Sequence, residues 1–229
     1  MQHALAIYDM DKTITRRPTW TPFLAFAMRG RARWRLALLP AAALAGLAYL
    51  AKIIDRGALK QSTQRWLLGG SIAEAHVATL TAAFADHVVA TGVLDAARER
   101  IAADRAAGYR LVMATASYAF YARAIAERLG FDAVIATQSQ HDPAGALIPR
   151  IAGENVYGAA KLRAIRAWMA GEHIARGEAT VRFYSDHVSD APVLEWADEP
   201  FAVNAHGPLR AMARARGWPL LDWRRHTAG

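Results

Sequence analysis

Apolar residues along the chain follow two patterns. Short apolar runs that end at polar residues are typical of buried strands, and apolar residues spaced three or four positions apart are typical of helices. The predicted strands span 4–8, 110–114, 133–136, 181–184, 201–203 and a short stretch near Leu220. Helices are predicted over 94–107, 119–129, 159–169, 190–196 and 208–216, and Pro143, Gly145 and Pro149 predict a turn region. This alternation predicts an α/β fold with a doubly wound, mainly parallel sheet.

Residues 15–90 have no strand pattern and are predicted to be helical. Thr21 and Pro22 have the residue types of a helix N-cap and a first helical position, and a second, strongly apolar helix is predicted over 40–54. Ligands of doubly wound sheets bind in the crevice at the carboxyl ends of the strands. Because the helical segment directly follows the first strand's terminal motif, we expect a core formed by 1–14 and 91–229, with 15–90 as an all-helical cap over that crevice.

Composition excludes several classes of protein. The 229 residues are 54% hydrophobic and 21% charged, which is sufficient for a folded core without a metal or disulfide. Cysteine is absent, which excludes disulfides, thiolate metal sites and cysteine nucleophiles and fits a reducing compartment. The first eight residues lack a signal-peptide pattern, and the uncharged run 36–51 is shorter than the roughly 20 apolar residues of a spanning helix. We therefore expect a cytoplasmic location, with 36–51 buried or interfacial.

Two aspartates directly after the first predicted strand are the first candidates for chemistry. Asp9 and Asp11 are two positions apart at the end of a strand, so both carboxylates can turn toward one point above the sheet. One carboxylate can then attack phosphorus while the other handles the proton of the leaving group. The alternative is a turn that uses aspartate only for local hydrogen bonds.

Four motifs in order along the chain resemble the haloacid dehalogenase superfamily. They are AIYDMDKT at 6–13, LVMATAS at 111–117, GAAK at 158–161 and SDHVSD at 185–190. The resemblance is closest to the phosphoserine-phosphatase-like branch, whose helical cap lies between the first two motifs. It covers essentially the whole chain, and it implies a Rossmann-like core and a phosphatase.

The resemblance implies a role for each motif residue. It implies that Asp9 is the nucleophile that becomes phosphorylated and that Asp11 is the general acid and base. It implies a Mg²⁺ ion held by Asp9, the backbone carbonyl of Asp11 and Asp186, with hard oxygen ligands. The phosphate-binding residues that it implies are Thr13, Thr115, Ala116 and Lys161. Lys161 would also neutralise transition-state charge, and Asp190 would support Lys161 or a metal-bound water.

Lys12 and Ser185 depart from the family pattern, since relatives often have a small residue at the first position and glycine at the second. A lysine beside the phosphate site either adds affinity for an anion or points to solvent. The alternative to an enzyme is a catalytically silent regulator that uses the cap as a docking surface. The full set of six motif residues argues against it.

Basic residues concentrated in the predicted cap bear on the substrate. Between Lys12 and Ile54 there is no acidic residue, and the eight basic ones account for the whole net charge of +8. They are Lys12, Arg16, Arg17, Arg29, Arg31, Arg33, Arg35 and Lys52. Phosphoserine phosphatases need a cap carboxylate for the substrate's ammonium, so its absence disfavours phosphoserine unless Asp55 or Glu74 substitutes.

Aromatic and aliphatic residues accompany these cations, among them Trp20, Phe23, Phe26 and Trp34. Such a surface suits an anionic membrane and is similar to the caps of phosphatidylglycerophosphate phosphatases in this superfamily. The leading hypothesis is therefore an anionic, lipid-linked phosphomonoester and peripheral membrane contact, with phosphoserine or another small metabolite as the alternative. A second open interpretation is that the helices pack together and the arginines are only solvated. Charge balance elsewhere and the lack of a binding motif argue against nucleic acid.

Overall fold

A single seven-stranded sheet forms the centre of the computed structural model, which describes residues 3–29 and 33–225. The strands are β1 His3–Tyr8, β2 Arg110–Tyr118, β3 Ala133–His141, β4 Leu147–Ala152, β5 Ala179–Ser185, β6 Glu199–Val203 and β7 Leu220–Leu221. Their order is β4-β3-β2-β1-β5-β6-β7, and β4 is antiparallel to β3 while the other pairs are parallel. The predicted α/β class with a mainly parallel sheet is confirmed.

Helices connect these strands and also fill the stretch between β1 and β2. Their bounds are α1 Trp20–Met28, α2 Leu39–Leu50, α3 Arg56–Leu67, α4 Glu74–Thr91, α5 Asp95–Ala106, α6 Ala119–Arg128, α7 Ala159–Gly171, α8 Ala191–Trp196 and α9 Gly207–Arg216. Shorter 3-10 turns span Arg33–Leu38, Arg176–Glu178 and Val188–Asp190.

Alternate residues of the central strands enter two separate cores. Ala6 and Tyr8 of β1 face a core that contains side chains of α4, α5 and α6. Leu5 and Ile7 face the opposite core, which contains side chains of α7, α8 and α9. Because side chains alternate across a strand, burial on both faces explains why β1 is a continuous apolar run. The helices therefore cover both faces, as a doubly wound sheet requires.

Several boundaries differ from the sequence prediction. Strands β2 and β3 continue to Tyr118 and His141, beyond their predicted ends at 114 and 136. The region around Pro149 was expected to be a turn, but Leu147–Ala152 is strand β4 at the edge of the sheet. An edge strand tolerates proline, since one side of its backbone needs no ladder partner. The first cap helix was expected to begin at Pro22 with Thr21 as its cap, yet it begins at Trp20 after Thr19. Thr19 makes no side-chain capping bond, because its hydroxyl donates to Asp11 Oδ1 instead.

The segment between β1 and β2 packs in two parts. The side chains of Phe84 and Val88 on α4 belong to a core of the sheet, whereas Leu24, Met28 and Leu67 form a small separate cluster. Among the described helices, none is long and apolar enough to cross a bilayer. Arg31 and the side chain of Arg33, both in the predicted basic segment, lie outside the described residues.

Candidate active site

A cavity of about 140 Å³ opens at the carboxyl ends of β1, β2 and β5. The polar and charged residues that line it are Asp9, Asp11, Lys12, Arg56, Thr115, Tyr157, Lys161, Asp186, His187, Ser189 and Asp190, and Ala116 and Pro18 complete the lining. The sheet order explains the convergence, because β1 lies between β2 and β5 and the ends of parallel strands meet at one edge.

Asp9 is the first residue after β1 and is 7% exposed. Its backbone N–H donates to the carbonyl of Tyr184 on β5 at 2.9 Å, which continues the ladder and fixes the start of the loop. Its Oδ1 accepts a hydrogen bond from Lys161 Nζ at 2.7 Å. Burial raises the pKa of the Asp9 carboxyl above its ordinary value, while the charge of Lys161 opposes this rise.

Lys161 lies in the first turn of α7 and joins two carboxylates. Besides Asp9, its Nζ donates to Asp190 Oδ2 at 2.6 Å, and Lys161 and Asp190 are each 2% exposed. Burial alone would lower the pKa of Lys161, but the charges of Asp190 and Asp9 raise it above its ordinary value. The lysine is therefore held as a cation. Ser185 completes the support, because its hydroxyl donates to Asp190 Oδ2 at 2.7 Å.

Asp11 is oriented by groups from both sides of the cavity. Its Oδ1 accepts from the backbone N–H and from the hydroxyl of Thr19, each at 2.8 Å. Its Oδ2 accepts from the Ser117 hydroxyl at 2.9 Å. Lys12, with φ of 61°, turns the chain sharply after Asp11, and its carbonyl accepts from Asn204 Nδ2 at 2.9 Å. The Lys12 side chain is exposed at the rim of the cavity.

The predicted phosphate-binding residues are only partly brought together. Thr115 is 1% exposed, and its Oγ1 accepts from the backbone N–H of Ser117 at 3.1 Å. Thr115 and Ala116 both line the cavity. Thr13 is fully buried, its hydroxyl has no hydrogen-bond partner, and it is not among the lining residues. The structure thus does not place Thr13 with the others.

Negative charge exceeds positive charge around Lys161. Asp9, Asp186 and Asp190 are all buried, and burial raises the pKa of the Asp186 carboxyl to about 6, with Lys12 opposing and Asp190 adding to the rise. The other carboxylate oxygen of Asp190, Oδ1, is buried and has no hydrogen-bond partner. Uncompensated buried carboxylates are unfavourable, and a hard cation with oxygen ligands would compensate them.

The residues present fit a Mg²⁺ ion on this ground. Among the described residues, no group of three or more histidine or acidic side chains is arranged to hold a metal by itself. The predicted ligand set does not require one, because it consists of the carboxylates of Asp9 and Asp186 with a backbone carbonyl of Asp11 and water. Magnesium keeps several waters in such sites.

Sequence reasoning missed two cations that α3 brings to this region. Arg56 lines the cavity, and its guanidinium carbon lies 4.8 Å from the ring centre of Tyr157. Lys60 is 5% exposed and donates to the carbonyl of Ala116 and to Asn155 Oδ1 at 2.9 Å. The chain contains only four lysines and 24 arginines, so the choice of lysine at position 60 was the one signal in the sequence that could have pointed to Lys60.

The two acids that could have replaced the missing cap carboxylate do not reach the cavity. Asp55 caps α3, with its Oδ1 accepting from the Ala58 N–H at 2.7 Å. Glu74 lines a different surface pocket that also includes Arg123 and His141. Of the described residues between 15 and 90, only Pro18 and Arg56 line the cavity.

Comparison with known proteins identifies the class. A family model for haloacid dehalogenase-like hydrolases matches residues 6–195. The protein belongs to the haloacid dehalogenase-like hydrolase family, which confirms the resemblance based on the four motifs. The similarity of its cap to those of phosphatidylglycerophosphate phosphatases stays a prediction.

Relatives within the family point to phosphatases. Phosphoserine phosphatase SerB1 of Mycobacterium tuberculosis is 29% identical over 224 residues, which cover 96% of this chain and 71% of the relative. A protein with unknown function from Bordetella pertussis Tohama I has a solved structure with 26% identity and a TM-score of 0.88, covering 97% of this chain and 100% of the other. A substrate-bound phosphoserine phosphatase complex shares the fold, with 15% identity, a TM-score of 0.64 and coverage of 98% and 96%. The prediction that the chain is a phosphatase of this family is confirmed.

Proposed function

We propose that the protein is a Mg²⁺-dependent phosphomonoester hydrolase in which Asp9 is transiently phosphorylated. The observation that supports this most directly is the placement of Asp9 and Asp11 on one small cavity with Lys161 and Thr115. We further propose that residues 15–90 act as a cap, because Arg56 from this segment lines the cavity.

In the first step, an oxygen of Asp9 attacks the phosphorus atom and the bond to the ester oxygen breaks. Asp11 donates its proton to the departing oxygen, and Thr19 and Ser117 hold the carboxyl in place for this transfer. The Thr115 hydroxyl and the Lys161 ammonium stabilise the charge of the phosphoryl oxygens. In the proposed arrangement, the same ammonium keeps Asp9 oriented through the 2.7 Å hydrogen bond.

In the second step, water attacks the phosphorus of the acyl phosphate. Asp11, now ionised, accepts the proton of that water, and the bond from phosphorus to Asp9 breaks to release inorganic phosphate and restore the carboxylate. Asp9, Asp186 and the Asp11 carbonyl would hold Mg²⁺, which when bound withdraws negative charge from the phosphoryl group.

The comparisons support the phosphoserine or small-metabolite alternative better than a lipid-linked substrate. We therefore propose a small phosphomonoester that carries a second anionic group. Among the described residues that line the cavity, Arg56 and Lys12 are cations that form no ion pair with its carboxylates. We assign the second anionic group to Arg56, because its position over the Tyr157 ring limits its freedom. A carboxylate such as that of phosphoserine fits this arrangement.

The nucleophile is tested by phosphate release in the presence of Mg²⁺. Asp9→Asn should retain less than about a thousandth of wild-type activity, because an amide cannot accept the phosphoryl group. Asp86→Asn is the matched control, since the Asp86 side chain is 69% exposed on α4. Acid-quenched turnover should leave phosphate bound to the wild-type chain only. Activity of Asp9→Asn close to that of the control would refute the assignment, and no release from any substrate by the wild type would favour the silent regulator.

The substrate class is tested with three matched compounds: phosphoserine, its analogue without the ammonium group and its analogue without the carboxylate. Arg56→Met should raise KM roughly tenfold or more for the two compounds with a carboxylate and little for the third. Arg65→Met, an exposed arginine on the same helix, is the control. Equal loss for all three compounds would show that Arg56 does not recognise the carboxylate.

A further inference from the structure

Large apolar side chains are exposed almost exclusively at one place on the protein. Of the seven exposed large hydrophobic residues in the described part of the chain, all but Leu220 lie between Trp34 and Ile53. We call these six the apolar face; they are Trp34, Leu39, Leu44, Leu47, Leu50 and Ile53, with exposed fractions from 44% to 76%. Contiguous apolar surface of this kind marks an interaction site more often than scattered residues do.

Four of the six residues of the apolar face lie on the side of α2 that does not pack on the protein, while Trp34 precedes this helix and Ile53 follows it. Leu44, Leu47 and Leu50 recur every third residue, so they form a stripe along the helix, and Ile53 lies in the turn that follows it. Ala42 packs on the cluster of Leu24, Met28 and Leu67, and Ala45 is the buried residue of α2. The helices of this segment therefore do pack together, but through small residues, and that packing leaves the leucines uncovered.

Charge decides which partner fits the apolar face. The segment that carries the apolar face has no acidic residue, and the exposed side chains in and beside it include the cations Arg29 and Lys52. The guanidinium carbon of Arg35 lies 4.8 Å from the ring centre of Trp34 in the face itself. A second copy of the same face would bring like charges together, which opposes symmetric self-association. A nucleic acid would compensate the charge but offers no aliphatic surface for four exposed leucines. An anionic lipid bilayer provides both negative charge and an apolar interior.

We propose that the apolar face docks the protein peripherally on an anionic lipid bilayer. One end of the apolar face lies beside the opening of the catalytic cavity. A second cavity of about 760 Å³ is lined by Tyr49, Lys52 and Ile53 at the end of α2, and also by Arg56 and Tyr157. Arg56 and Tyr157 line the catalytic cavity as well. Docking would therefore bring the mouth of the active site close to the lipid surface.

Vesicle co-sedimentation tests this proposal without any dependence on catalysis. Vesicles of phosphatidylcholine alone are compared with vesicles of roughly three parts phosphatidylcholine to one part phosphatidylglycerol. The wild type should bind the anionic vesicles at least roughly tenfold more strongly, and high salt should weaken this binding. Equal binding to both compositions, or no binding, would overturn the proposal.

Variants separate the apolar contribution from general electrostatic attraction. The double variant Leu47→Gln with Leu50→Gln keeps every charge and should lower the partition coefficient roughly tenfold or more. Leu220→Gln, which removes the exposed leucine outside the face, should bind as the wild type does. Phosphate release from a soluble substrate, unchanged in all variants, shows that each one is folded. Unaltered vesicle binding by the double variant, or a wild-type dimer in light scattering that the double variant abolishes, would overturn the proposal.

Discussion

Lys60 provides the sharpest test of the electrostatics at the junction of α3 and the active site. Its ammonium group is buried, and no carboxylate of the described residues forms an ion pair with it. Its hydrogen-bond acceptors are the neutral oxygens of Ala116 and Asn155. Burial and the charges of Arg56 and Lys161 lower the pKa of Lys60 from 10.5 to about 7, against the opposing charge of Asp11.

This lowered pKa predicts how stability depends on pH. Between pH 7 and 10.5 the unfolded chain keeps the proton of Lys60 and the folded chain does not, so the free energy of unfolding rises with pH. One pKa unit corresponds to about 1.36 kcal/mol, so the contribution of Lys60 rises by roughly 2.5 kcal/mol between pH 6 and 9. Below pH 6 both states are protonated, and the unfavourable burial of the cation is fully present.

The measurement is chemical denaturation of the wild type and of Lys60→Met at pH 6, 7.5 and 9. Other titrating groups are common to both proteins, so the difference between the two unfolding free energies isolates Lys60. The wild type should gain stability relative to Lys60→Met as the pH rises. Lys52→Met, which removes an exposed lysine, should show no such trend. A difference that stays constant from pH 6 to 9 would refute the reasoning.

Two further predictions concern aspartates that accept several hydrogen bonds. Asp104→Asn should lower the free energy of unfolding by roughly 3 kcal/mol. This buried carboxylate accepts hydrogen bonds from the hydroxyls of Tyr8 at 2.5 Å and Tyr184 at 2.8 Å, and it pairs with Arg182. Thermal unfolding measures the loss, and an unchanged midpoint would contradict the prediction. Ser117→Ala should lower kcat roughly tenfold with little change in KM, because it removes the hydroxyl that donates to Asp11. An equal fall in affinity and kcat would show that this hydrogen bond serves substrate binding.

Sequence predicted those features that depend on local pattern. The strands β1 and β2 are buried on both faces, so the chain before the first two motifs appears as uninterrupted apolar runs. Over 181–184, strand β5 follows the same pattern except at Arg182. The order of the motif aspartates and Lys161 relative to these runs then indicated which strand ends lie next to one another in the sheet. Leu147–Ala152 was missed because an edge strand lacks that apolar continuity and contains Pro149.

The contacts that α1 and α3 make with the site could not be predicted from the sequence. Lys60 reaches Ala116, which is 56 positions away, and Thr19 contacts Ser117 across 98 positions. Such pairs depend on how α1 and α3 pack against the sheet, and the spacing of apolar residues in the sequence does not predict that packing. For Arg56 the sequence offers no signal at all, since it is one of 24 arginines. The phosphate-binding role of Thr13 was taken from its motif position and stays a prediction, since Thr13 is not among the residues that line the cavity.

The contacts of Thr19 and Lys60 bear on how this enzyme could be redesigned. Thr19, immediately before α1, holds Asp11 through two hydrogen bonds, and Lys60 on α3 holds the end of β2 at Ala116. Helices borrowed from a relative to change substrate preference would therefore need to recreate both attachments. A chimaera that begins its transplant after Thr19 and returns to the native chain before Lys60 keeps them, and leaves the whole of α2 free for exchange.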